Sequence, residues 1–150
     1  MRLSAAGALM ALMLISGGAA AQQQPQGPIG WLKTANGDVA IIRAGARLPG
    51  SVGQALQRGD VIETGADGSA GVTLADNSLL SAGPRTQLSL DEFTYDSSRL
   101  KGSSLASLRY GTLSASSGDI ARGTPGAMRV GTPTAMLAVR GTNFLVRVAQ

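Results

Sequence analysis

Glycine and proline recur every eight to twelve residues along this chain, and the stretches between them alternate rather than repeating at three and four. That punctuation predicts an all-β protein. In SAGVTLAD, Ala70, Val72 and Leu74 fall on one face while Gly71, Thr73 and Ala75 fall on the other, as side chains two apart must in a strand. TQLSLDEF repeats the pattern with Leu88 and Leu90, and NFLVRV with Phe144, Val146 and Val148. Further strands are expected in GWLK, DVAIIR, DVIET, SLASLRY, GTLSAS and AMLAV. No window offers a convincing amphipathic helix; SVGQALQRG could form one short turn, with Val52, Ala55 and Leu56 on one face.

Short echoes accompany the alternation. Gly-Asp-Val occurs at 37–39 and 59–61, Gly-Asp-Ile at 118–120, and GTPGAM at 123–128 returns as GTPTAM at 131–136. Gly-Asp before an apolar run is good turn chemistry, because glycine takes positive φ freely and aspartate can bond its own backbone. Short strands between such corners suit either a small β-solenoid or a β-sandwich.

The chain has 150 residues, and its ends divide it. Residues 1–21 read as an export signal: a short basic start, an apolar centre from Leu3 to Ile15, and Ala19-Ala20-Ala21 as a small-residue cleavage site. The apolar centre is shorter than the ~20 residues needed to span a bilayer, so cleavage after Ala21 is expected, giving a periplasmic or secreted protein that does not span the membrane. Residues 22–28, with QQQPQGP, form a polar leader, and 29–150 supply one β domain. Removing Arg2 with the signal lowers the formal charge of +4 by one. The remaining cations are scattered singly and aromatics are sparse, which argues against nucleic-acid binding.

Composition removes much enzymatic chemistry. With no histidine and no cysteine, the chain can supply neither a Ser-His-Asp triad, nor a thiol nucleophile, nor a histidine- or cysteine-ligated zinc. The only lysines, Lys33 and Lys101, stand in no Ser-x-x-Lys spacing. Paired carboxylates remain in Asp91-Glu92, Asp60 with Glu63, and Asp67 with Asp76, an arrangement common without catalysis. Asp60, Glu63, Asp67, Asp76 and Asn77 crowd one stretch as calcium ligands might, yet their spacing fits no calcium loop, and Asp67-Gly68 and Asp76-Asn77 read better as hairpin turns. No catalytic residue, metal site or cofactor is expected. Trp31 reads as a core or cap residue rather than a sugar platform, and Asp96–Ser104, DSSRLKGSS, as a solvated loop whose Arg99 and Lys101 are the first choice for a partner contact.

The run GDVIETGADGSAGVTLADNSLLSAGPRTQLSLDEFTYD, then LRYGTLSASSGDI and VGTPTAMLAVRGTNFLV, resembles the FecR domain, the periplasmic module of the ferric-citrate transport regulator family. The likeness runs from about Gly37 to Val148. It rests on an ordered series: Leu56 to Asp60 with Gly59, Thr64-Gly65, Asp67-Gly68, Asp76 with Ser78, Gly83-Pro84, Gly111-Thr112, Thr132-Pro133 and Arg140-Gly141-Thr142. The resemblance implies a non-enzymatic, all-β envelope module with a protein partner, and it favours a twisted β-solenoid over a sandwich. The anti-sigma segment and membrane helix of the best-known relatives are not seen ahead of this domain, so a stand-alone protein-binding, sensory or scaffold module is expected, with an envelope structural or polysaccharide-associated adaptor as the alternative. Asn77 stands where the family usually has glycine, and Asn143 where it usually has an acid. Arg140, a cation inside an apolar run, is expected to staple the C-terminal strand to an acid such as Asp60, Asp76 or Asp91.

Overall fold

The computed structural model describes residues 27–140 and 143–150. The expected signal and most of the leader lie outside the described residues, as do Gly141 and Thr142. The described chain is mostly β: strands β1 (Gly30–Asn36), β2 (Val39–Arg43), β3 (Ala46–Pro49), β4 (Ala55–Leu56), β5 (Val61–Thr64), β6 (Ser69–Leu74), β7 (Leu79–Ala82), β8 (Gln87–Asp96) and β9 (Lys101–Ser116), then helix α1 (Asp119–Gly123), and strands β10 (Met128–Gly131), β11 (Met136–Ala138) and β12 (Asn143–Val148).

The strands form one curled sheet, an open half-barrel, in the order β3-β2-β5-β8-β9-β7-β6-β1-β4. Strand β9 joins its two halves. Its first ten residues pair with β8, and its last four with β7. Its other edge carries β10 over Ser104–Ser107 and β12 over Gly111–Ser116, and β11 adds to β10. The all-β expectation holds. Stacked solenoid coils pair in parallel, whereas here only β9 with β10 is parallel and the other pairings are antiparallel.

Alternation builds the core. Ala70, Val72 and Leu74 on β6, Leu80 and Ala82 on β7, and Leu88 and Leu90 on β8 are all buried, each large side chain contributing about 1.5–3 kcal/mol of hydrophobic stabilisation. Two irregularities in the β8–β9 ladder then switch the phase. Leu90 pairs with Ala106 and Glu92 with Leu105, so Asp91 is an extra residue on β8 and burial moves from Leu90 to Phe93. Gln87 pairs with Tyr110 and Leu88 with Leu108, so Arg109 is extra on β9, and burial passes from Ala106 and Leu108 to Leu113 and Ala115. Each bulge turns the strand so that it can curl while keeping its apolar side inward.

Several local expectations need correction. SVGQALQRG is not a helical turn: Gly53 takes φ +87° and the segment becomes β4, with Val52 and Ala55 exposed and only Leu56 buried. The backbone edge of β1 captures it, through Leu32 N–H to Gln54 C=O at 2.9 Å and Gly53 N–H to Leu32 C=O at 2.7 Å. SLASLRY and GTLSAS are one strand. The third Gly-Asp corner opens a helix, α1, with Ile120 and Ala121 buried and Asp119 and Arg122 on its surface. Trp31 is 37% exposed on the outer face of β1 because Leu32, its neighbour, takes the inner one.

Candidate functional site

Of the residues singled out in the sequence, Thr64, Gly65, Asp67, Gly68, Gly83 and Pro84 gather at one end of the strands. There three corners meet: Gly37-Asp38, Gly65–Gly68 and Gly83–Thr86. Thr64, 4% exposed, donates its hydroxyl to Gly83 C=O at 2.6 Å and accepts from Thr86 N–H at 2.9 Å. Gly65 N–H donates to Asp38 C=O, and Gly65 C=O accepts from Gly68 and Arg85. Gly68 is required by close approach, since a Cβ there would lie 2.2 Å from Asp38 O. Asp67-Gly68 is therefore a corner between β5 and β6, which are not paired with each other, rather than a two-residue hairpin turn. Thr86 closes the cluster by accepting from Thr112 N–H at 3.0 Å and donating to Pro84 C=O at 3.2 Å. Gly111 lies against it at φ +102°.

Asp60 and Asp76 sit at the opposite ends of β5 and β6. Asp60, 1% exposed, accepts from Arg43 Nε at 2.9 Å, Arg43 Nη2 at 2.7 Å and Gln57 N–H at 2.8 Å. This bidentate pair raises the Arg43 pKa further, chiefly through the hydrogen bond. Gly59, at φ +90°, makes the corner that delivers Asp60 and donates to Leu90 C=O. Asp76, fully buried, accepts from Ser78 N–H and Ser78 Oγ, and from Ile120 N–H at 3.4 Å. It thereby fastens the Asp76-Asn77 hairpin to α1, and Asn77 takes the left-handed φ +66° expected where glycine is usual.

The carboxylates gathered in sequence diverge in space. Glu63 pairs with Arg47 at 2.7 Å, Asp91 accepts from the Ser89 and Ser107 hydroxyls, and Glu92 pairs with Arg129 at 3.0 Å. Among the described residues no three such side chains converge on a point that could hold a metal ion. Between the two halves of the sheet, the cavity lined by Ile29, Leu74 and Phe93 encloses about 10 Å³, too little for more than a water.

Arg140 is not the staple the sequence suggested. It is exposed, and among the described residues no acid lies within ion-pair distance. Asp60 is held by Arg43, Asp76 by neutral donors and Asp91 by two serines, so none of the three is left for it.

Arg99 and Lys101 occupy the tip of the β8–β9 hairpin. The DSSRLKGSS segment is a turn only over Ser97–Leu100; Lys101 onward is strand. The turn is ordered by Asp96, which accepts from Ser98 N–H at 3.0 Å and Ser98 Oγ at 2.6 Å, and these bonds hold its carboxyl below the usual range. Leu100 stands between the two cations at φ +53° and 51% exposed. Helix α1 supports the tip: Tyr95 donates to Asp119 at 2.9 Å, and Gly123 packs so close that a Cβ would lie 2.1 Å from Leu100 O. Arg122, the residue before Gly123, is exposed and lies 3.8 Å from Asp119. The exposure of Leu100 was not anticipated from the sequence; a lone leucine between two basic residues was the available signal.

A family model described as FecR protein matches residues 60–150. The chain belongs to the FecR family. The match opens on Asp60, the residue clamped by Arg43, and takes in the Thr64, Asp76 and Gly83 corners. Strands β1 to β4 precede it but complete the same sheet, β1 lying between β6 and β4. The FecR family is a regulatory and signalling one. No curated protein and no solved structure matches the chain. Among the described residues no helix is long and apolar enough to cross a membrane.

Proposed function

We propose that this FecR protein is an exported, non-enzymatic binding module of the cell envelope, whose partner is another envelope protein. One observation carries the reading: the polar residues that mark the family, Asp60, Thr64 and Asp76, are buried and bonded within the fold. They hold corners together, which leaves recognition to the exposed surface. The FecR domain is periplasmic in its family setting, and residues 1–21 have the composition of an export signal.

This reading assigns the contact to the β8–β9 tip, where exposed Leu100 offers an apolar anchor flanked in sequence by Arg99 and Lys101, with Arg122 adjoining Gly123, the residue that packs on Leu100. A partner with acidic residues around an apolar pocket fits this surface: the cations steer the encounter and the leucine supplies burial. The test is capture from periplasmic extract with the whole mature protein as bait. A stoichiometric protein, lost when Arg99→Glu and Lys101→Glu are combined in a normally melting chain, is expected. Retention on peptidoglycan or polysaccharide alone would overturn the reading in favour of a wall-associated adaptor.

A further inference from the structure

We propose that β12 is the interface of a homodimer, its outer edge pairing antiparallel with the same strand of a second copy. Four strands border the described sheet, and three are poorly suited to accept another. Strand β3 ends in Pro49 and carries Arg47, tied to Glu63 and Asp38; β4 has two residues; β11 has three. Proline, charge and shortness are the devices that keep sheet edges from joining. Strand β12 has none of them at its centre. It runs for six residues, pairs on one side with β9, and has no partner on the other among the described residues.

Its two faces also read as unfinished. Phe144, Val146 and Val148 pack against the core but stay half-buried, although their β9 neighbours Leu113 and Ala115 are fully buried. On the other face Leu145 is 65% exposed. A second copy satisfies both faces in one register. In an antiparallel two-fold pairing centred on Leu145, that residue meets its own twin, Phe144 faces Val146, and Arg147 faces Asn143. Apolar residues meet apolar ones on each face, and the one cation of the strand meets a neutral amide instead of itself. The reading is independent of the proposed contact at the β8–β9 tip, which uses a different strand pair.

The test starts from the absence of cysteine in the chain. Leu145→Cys should oxidise to a covalent dimer, because directly opposed strand residues approach disulfide distance, while Leu79→Cys, also exposed but inside the sheet, should not. By sedimentation, Leu145→Glu and Leu145→Lys should each weaken self-association at least tenfold without changing the melt, and mixing the two should restore it. A wild-type chain that stays monomeric at high concentration, a dimer untouched by Leu145→Glu, or a mixture no better than its components would each overturn the proposal.

Discussion

Arg43 makes two hydrogen bonds to a carboxylate that is 1% exposed, whereas Arg140 faces solvent with no acid in reach among the described residues. Removing Arg43 strands a buried charge, so Arg43→Ala should lower stability by about 3 kcal/mol; Arg140→Ala should stay within about 0.5 kcal/mol, as surface changes do. Urea unfolding of the two variants checks the contrast. A second residue-scale expectation concerns Tyr95. Burial first, and then the bond to Asp119, push its phenol above the ordinary range. Because the folded value is raised, the stabilisation is complete below the ordinary tyrosine pKa of about 10 and is lost as pH rises through the folded value. Tyrosinate absorbance should show a late alkaline step that Tyr95→Phe removes.

At the scale of elements, the corners decide which glycines are irreplaceable. Gly111 combines φ +102° with a Cβ position 2.4 Å from Thr86 Cα, so Gly111→Ala should destabilise by about 2 kcal/mol or more, adding backbone strain to overpacking. Gly83, also part of the family series, has ordinary room, its Cβ position lying 3.5 Å from Thr112 Cβ; Gly83→Ala should be nearly neutral. Thermal melts of the pair test this. The strands whose alternation is unbroken, β6, the start of β8, and β12, were legible in sequence because one inward face leaves a period of two. What escaped depended on distant partners. Strand β4 exists because β1 offers it an edge, α1 is too short to show a period, and the bulges at Asp91 and Arg109 shift the phase within single strands. The buried Asp60 was recognisable as a motif position, but its partner Arg43, 17 residues earlier, was not. An isolated arginine says nothing of which carboxylate it will meet.

For the molecule as a whole, β1 to β4 and the family-matched segment share one sheet, pinned where Arg43 on β2 grips Asp60 at the head of β5. The chain has one tryptophan, Trp31, and it lies on β1, ahead of the matched residues 60–150. Its fluorescence therefore reports the leading strands, while far-ultraviolet circular dichroism reports the entire sheet. The most direct measurement is urea unfolding of the mature protein and of Asp60→Asn by both probes. Coincident single transitions, moved down together by the substitution, are predicted. Separate transitions, or an Asp60→Asn shift confined to one probe, would contradict the claim that the family's buried polar residues hold a single fold together.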